Sequence, residues 1–420
     1  MLVELSRFFL HGWIDAHYRQ PEFLFKYYGF EWVAPWPGTA LHWHFAILLL
    51  LAAMVALGFL YRFAIAGLLF GFTYVFLLDQ AHYLNQYYLL LTLAFILCFV
   101  PAEREYSLRL TKDSAPAQVP RWSVWALRLQ FELMLVYAGL VKLNEDWLAG
   151  QPLGLWFAQQ AGALPMGDGW LTSPGVAVTA AYAVVFLHIV GAPLLLWRRT
   201  RLAVFFTYVL FHLASSSLFH IGVFPWITLA GTLLFFEPNW PRVIAARLGL
   251  RDQAQASEGT TAAFRGSVLV FISLTLFFAS QILVPLRSLL YPGKVAWTQE
   301  GYAFSWRMKL DDKNATARFF VSDPTSGRRW EVDPKDYLGP RQVLMMAGDP
   351  DMILQFAHHL KKLWIRREGL AELEVRVQVM CALNGRVPAL LIDPEIDLTR
   401  VTRTWRHYDW ILPFPLESRS

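Results

Sequence analysis

Cysteine is almost missing. Cys98 and Cys381 are the only two in 420 residues, which excludes a disulfide framework and a multi-cysteine metal site. Charge is scarce as well: 16% of the residues are Asp, Glu, Lys or Arg, where an ordinary soluble chain carries about a quarter. No HExxH, CxxC, P-loop or GxGxxG occurs, and the histidine spacings match no zinc signature, so no metal is expected. The opening MLVELSRFFLHGWIDAHYRQ lacks the charged n-region, long apolar h-region and small-residue cleavage site of a signal peptide. There is no internal repeat and no low-complexity tract. The net charge of +5 is distributed between loops, and no nucleic-acid partner is expected.

What is present is apolar and aromatic. Hydrophobic residues make up 56% of the chain, with 18 Trp, 16 Tyr and 32 Phe; the mean hydropathy is +0.36. Trp and Tyr accumulate where a membrane meets water. A span needs about 20 mainly apolar residues. Segments 41–60, 63–79, 85–101, 122–142, 174–197 and 266–287 fit, 201–219 and 223–237 read as a tight pair, and 5–20 reads as a short first span. The expected fold is therefore an α-helical polytopic membrane domain of about nine transmembrane helices, residues 1–287, followed by a small extracytoplasmic α+β domain, residues 288–420.

Loop charges set the orientation. Arg62, then Arg104, Arg109, Lys112 and Arg121, then Arg198, Arg199 and Arg201, then Arg242, Arg247, Arg251 and Arg265 all fall in alternate loops, while the intervening loops 21–40, 80–84, 143–173 and 220–222 hold only Lys26. An odd number of spans then places the N-terminus in the cytoplasm and the C-terminal domain outside. A bacterial inner membrane is the expected setting, and residues 252–262 read as a cytoplasmic linker.

The tail changes character. AFSWRMKL (303–310), ARFFVSD (317–323) and RRWEVD (328–333) alternate like half-buried strands, with DPTSG as a turn. PDMILQFAHHLKKLWIRR (350–367) has the period of an amphipathic helix. ELEVRVQVMCALNGRVPALLID (372–393) reads as a hairpin turning at Asn384-Gly385.

Ionisable residues inside spans are functional candidates. Arg128 and Glu132 stand four apart on one helix face and suggest an intramembrane ion pair. In YAGLVKLNEDW (137–147), Lys142 ends a span on the side otherwise nearly free of Lys and Arg. It suits an interfacial anchor, or a base, because desolvation makes a neutral amine available. Asp79, His82, Asn85 and His220 fall toward the same face, with His212 deeper and His188 mid-span. Each histidine taken alone suits a packed, hydrogen-bonded role as well as a catalytic one.

Five blocks, in order, carry a family likeness: TYVFLLDQAHYLNQYYL (73–89), VYAGLVKLNEDWLAGQPL (136–153), FHLASSSLFHIGVFPWITLAGTLLFFEPNWP (211–241), GYAFSWRMKL (301–310) and LNGR…LIDPEIDL (383–398). The sequence resembles the vitamin K-dependent gamma-glutamyl carboxylase family, whose membrane part is the horizontally transferred transmembrane domain, in a short bacterial-type form.

The resemblance implies an enzyme that uses a reduced vitamin K-type quinol, phylloquinol or menaquinol, with dioxygen and carbon dioxide as co-substrates and no metal. In the family a lysine deprotonates the quinol, dioxygen adds, and the resulting alkoxide removes a γ-proton from a glutamate. The carbanion captures carbon dioxide and the quinol leaves as its epoxide. Lys142 matches the family base and His212 the membrane histidine near the reaction centre. Asn85 matches the quinol-orienting residue, with Gln86 beside it, and Tyr302, Ser305 and Trp306 match the segment that closes the pocket. Gln86 stands where the family has a histidine tied to carboxylation, Ser215 replaces an asparagine, and Val141 replaces a second lysine. The implied partners are the lipid bilayer, the lipid-soluble quinol and a polypeptide bearing glutamates. A quinol epoxidase without carboxylation, and a non-catalytic membrane scaffold for lipid or partner binding, are the alternative readings.

Overall fold

A computed structural model describes residues 1–104, 107–108, 119–162, 167–219, 221–249, 268–369 and 372–415. The linker 252–262, His220 and several of the loop arginines and lysines (Arg109, Lys112, Arg251, Arg265) lie outside the described residues. The chain divides into two compact units. The first comprises Met1–Glu4, Ile47–Phe70 and Gln86–Leu283; the second comprises Leu5–Ala46, Gly71–Asn85 and Val284–Ser420.

The chain is mostly helical. Among the described residues, five helices are long and apolar enough to cross a membrane: Ala40–Leu57, Tyr61–Leu78, Pro174–Leu194, Arg201–Leu218 and Val268–Leu290. These correspond to five of the nine expected spans. The other four depart from the pattern for separate reasons. Residues 5–20 are not one helix: Leu2–Leu10 and Trp13–Tyr18 are broken at Gly12, whose φ of 64° is left-handed. Asn85–Phe99 has 15 residues, about 22 Å at 1.5 Å per residue, short of a hydrocarbon core of about 30 Å. Phe224–Phe235 is shorter still. Arg121–Leu140 is 20 residues long but carries Arg121, Arg128 and Glu132.

The expected Arg128–Glu132 pair does not form. Arg128 Nε donates to the Leu234 carbonyl at 2.8 Å and Nη2 to that of Phe236 at 3.1 Å, so its guanidinium caps the open carbonyls that end the Phe224–Thr232 helix and its 3₁₀ extension. A cation at a helix C-terminus also meets the negative end of the dipole. Lys26, the one basic residue in its set of loops, is used the same way: its Nζ donates to the Leu78 carbonyl at 2.7 Å, at the end of Tyr61–Leu78.

In the second unit a four-stranded antiparallel sheet runs in the order β2-β1-β3-β4, with β1 Lys313–Ser322, β2 Arg329–Val332, β3 Glu374–Leu383 and β4 Ala389–Leu390. Alternation in β3 sends Val375, Val377, Val379, Cys381 and Leu383 to one buried face. The amphipathic helix Pro350–Glu368 covers that face with Ile353, Phe356 and Leu360, Phe356 meeting Phe319 edge-on at 4.9 Å. Asp323 makes the DPTSG turn by accepting from Thr325 N at 2.9 Å and Ser326 Oγ at 2.6 Å. Asn384 and Gly385 have φ of 52° and 75° and turn the chain out of β3. One expected strand is absent. Residues 303–310 form no strand, because Phe304, Trp306 and Lys309 adopt φ of 61°, 54° and 44°, a region no strand residue occupies.

Asp349 caps the Pro350–Glu368 helix, accepting from Met352 N at 3.1 Å. Burial raises its carboxyl from 3.8 to about 6. A raised folded value means stability that is complete below about pH 4 and is lost as the pH climbs through 6. Asp349→Asn keeps a capping oxygen and removes the titration. Thermal unfolding should therefore show wild type losing ground to Asp349→Asn between pH 4 and pH 6, and parallel curves across that range would contradict the burial account.

Candidate functional site

In the first unit the site is built where Arg121–Leu140 ends. Lys142 lies two residues past the end of the helix, is buried at 4% exposure, and points back so that Nζ donates to the Ala138 carbonyl at 2.9 Å. The Trp147 ring lies 5.0 Å from the ammonium nitrogen, within cation–π range. That ring is fixed from both ends. Asn144 caps the short Glu145–Leu148 helix by accepting from Trp147 N at 3.0 Å, and Trp147 Nε1 donates to the Ala181 carbonyl at 3.1 Å. An anchor that snorkels would reach out to water; Lys142 is enclosed by protein instead.

His188 sits beside it. Residues Leu187–Gly191 form a π-helical turn that interrupts the Pro174–Leu194 helix, a feature that often marks functional positions. The turn presses against Arg121–Leu140 at Gly139. A Cβ there would meet Ile189 Cγ1 at 2.7 Å and His188 Cβ at 2.9 Å, so only glycine admits this approach. His188 Nδ1 donates to the Val184 carbonyl at 2.8 Å, which leaves the lone pair of the neutral ring on Nε2. Lys142 and His212 both lie within electrostatic reach of His188. His212 is also buried, and among the described residues its Nε2 has no hydrogen-bond partner. Tyr208 joins the group, its ring 6.1 Å from His212 at 21° and its hydroxyl donating to the Leu187 carbonyl at 3.0 Å.

The unit thus brings Lys142 and His212 within electrostatic reach of His188, with Tyr208 and Phe211 packed on the two histidines. Sequence reasoning weighed His188 as a packed residue. The signal that it belongs with Lys142 is three-dimensional: Gly139, three residues before the lysine, is what lets the histidine turn come close.

The second unit holds another group. Tyr83 Oη donates to Asn85 Oδ1 at 3.1 Å and accepts from Phe304 N at 3.0 Å. Asn85 Nδ2 donates to the Arg307 carbonyl at 3.3 Å. Asn85 is thereby tied to the 302–309 segment by both ends of its amide. Ser305 and Trp306 are buried, Ser305 Oγ donating to the Gly301 carbonyl at 2.7 Å. Burial holds the Tyr302 phenol well above its ordinary value, with Asp311 accepting its proton in a hydrogen bond. Gln86 belongs to the first unit. Asp79 and His82 are engaged elsewhere in the second: Asp79 accepts from Ala81 N, Phe25 N and Gln342 Nε2, and His82 stacks on His17 at 4.0 Å. Among the described residues no cluster of three or more His, Cys, Asp or Glu is arranged to hold a metal ion.

Two family models match the chain: the HTTM domain over residues 1–240, and the lumenal domain of vitamin K-dependent gamma-carboxylase over residues 266–417. The chain belongs to the vitamin K-dependent gamma-carboxylase family. No solved structure matches it. Family membership gives a carboxylase-like enzyme, vitamin K with its co-substrates in general, and a membrane setting that the five apolar helices fit.

Within this carboxylase-family chain, Gly139 is the position whose change most directly disturbs the Lys142–His188 arrangement. Gly→Ala inside a helix ordinarily gains about 0.5–1 kcal/mol, but overpacking costs about 1–3 kcal/mol, and contacts under 3 Å make the second effect win. Gly139→Ala should lower the thermal midpoint of the purified protein, while Gly162→Ala, where a Cβ meets nothing within 4 Å, should not. Equal midpoints for the two would refute the close approach.

Proposed function

We propose that the chain is an integral-membrane, vitamin K-dependent gamma-carboxylase-like enzyme in which Lys142 is the base toward a reduced quinol. The observation that carries this reading is Lys142 itself, buried against the Ala138 carbonyl and the Trp147 ring beside His188. Lysine is a residue whose neutral amine serves as a base when it is buried. The carbonyl and the indole are two groups suited to hold the ammonium after it has taken a proton.

The residues fit a quinol. His212 Nε2 is a buried polar atom without a hydrogen-bond partner among the described residues, and Tyr208 and Phe211 flank it with aromatic surface. This combination suits a flat apolar ring carrying oxygen. When bound, the quinol supplies, with dioxygen, the strong base for glutamate carboxylation and ends as its epoxide. Lys142 takes the proton, His212 meets an oxygen, and Asn85, Gln86, Tyr302, Ser305 and Trp306 are the residues we assign to holding the quinol. The apolar walls exclude water, which a strongly basic step requires. The loop charges and the lumenal-domain match over 266–417 support an extracytoplasmic C-terminal domain facing an exported polypeptide, with the N-terminus in the cytoplasm of a bacterial inner membrane and up to nine spans.

A second reading, epoxidation without carboxylation, is favoured by one observation: Gln86 stands where the family histidine is expected, and an amide takes up no proton near neutral pH.

Membranes given reduced quinol and oxygen test both. Arginine keeps the charge and cannot give up its proton, so Lys142→Arg and Lys142→Ala should both cut epoxide formation by about 10²-fold or more, the usual contribution of a positioned base. Full epoxide yield from Lys142→Arg would sink the base assignment. Labelled carbon dioxide entering a glutamyl peptide marks the carboxylase, and epoxide without label, restored by Gln86→His, marks the second reading.

A further inference from the structure

The segment 302–309 is the most constrained stretch of backbone in the second unit. Phe304, Trp306 and Lys309 all have positive φ, a conformation costly for any side-chain-bearing residue and kept where the surroundings demand it. Gly301 enters the segment at φ 72°, where a Cβ would lie 2.7 Å from Ser288 Cα. Between these fixed points stands Arg307, whose carbonyl receives the Asn85 amide.

The Arg307 side chain has no acceptor. It is partly buried, its Nε is shut from solvent, and among the described residues no hydrogen bond or ion pair engages the guanidinium. A buried cation is expensive unless it is paired and hydrogen-bonded, and burial is the largest influence on this one, working against its charge. The two nearest compensating groups are already engaged with each other. Tyr302 hydrogen-bonds Asp311 and offers Arg307 only its ring, 5.9 Å from the guanidinium carbon. Other arginines of this unit show what a completed site looks like: Arg403 reaches Asp351 with Nε at 2.7 Å and Nη2 at 2.6 Å.

We propose that Arg307 is the acceptor-recognition residue, its open guanidinium edge binding the side-chain carboxylate of the glutamate to be modified. The inference rests on the carboxylase reading and deepens it. The planar fork of arginine matches a carboxylate two bonds at a time, and a carboxylate supplies the hydrogen-bond acceptor that Nε lacks. A glutaminyl side chain of the same shape supplies neither the charge nor the second acceptor oxygen, so the site discriminates by charge.

The test is binding to the full-length protein in neutral-lipid nanodiscs, with a fluorescent peptide carrying one glutamate and its glutamine counterpart. Wild type should bind the glutamyl peptide at least 10-fold more tightly, with the preference falling as salt rises. Arg307→Gln should abolish the preference by weakening the glutamyl peptide alone, and Arg307→Lys should restore part of it. Wild type binding both peptides equally overturns the proposal, and needs no variant to fold. Retained preference in a folded Arg307→Gln protein overturns it too. So does a change confined to binding of anionic-lipid vesicles, which would assign the guanidinium to headgroups. Epoxide formation by wild type, assayed separately, distinguishes the cases: epoxide without glutamate preference refutes Arg307's role and leaves the quinol chemistry standing, whereas no epoxide refutes the quinol reading itself.

Discussion

An ammonium group withdrawn from water must be answered by what surrounds it, and the arrangement around Lys142 follows from that need. A carbonyl at the end of the helix takes one of its protons and an indole faces its charge. A cation–π contact of this kind contributes about 0.5–2 kcal/mol. The Asn144 cap, the Trp147–Ala181 hydrogen bond and the π-turn at His188 all serve to keep these partners in place. The glycine at 139 is the small residue on which the closeness of the turn depends.

Cations elsewhere in the chain are answered differently. Arg128 and Lys26 end helices by binding their last carbonyls, and Arg403 is saturated by carboxylate and carbonyl oxygens. Arg307 is held on a segment of unfavourable backbone angles and left without an acceptor. These three structural cations are satisfied within the chain, and that contrast is what gives an unsatisfied one its meaning.

The parts of the fold legible in the sequence were those with strong periodicity. The apolar runs at 41–60, 63–79, 174–197, 201–219 and 266–287 became the five membrane-length helices, and the 2-residue alternation around β3 and the 3.6-residue period of 350–367 became a sheet and its covering helix. What misled was pattern without conformation. AFSWRMKL alternates, yet three left-handed residues forbid a strand, and nothing in residue type announces that Phe304 or Trp306 will adopt such angles. Arg128 and Glu132 have ion-pair spacing, yet the free end of the Phe224–Thr232 helix, about a hundred residues on, made the stronger claim on the guanidinium. The sequence singles out Lys142 by its place at the end of a span and by its motif, and His188 as a mid-span candidate, but the close approach of the His188 turn to the helix before Lys142 depends on a π-turn and on Gly139.

The central claim is that the Lys142 nitrogen is the group that takes the quinol proton. Chemical rescue tests it most directly. Lys142→Ala leaves a space beside the Ala138 carbonyl and the Trp147 ring, which a small primary amine added in solution should enter. Epoxide formation by the variant should return with added amine, and its rate should rise with the basicity of the amine as for a general base. A folded Lys142→Ala protein that no amine rescues, or that every amine rescues equally regardless of basicity, would contradict the account.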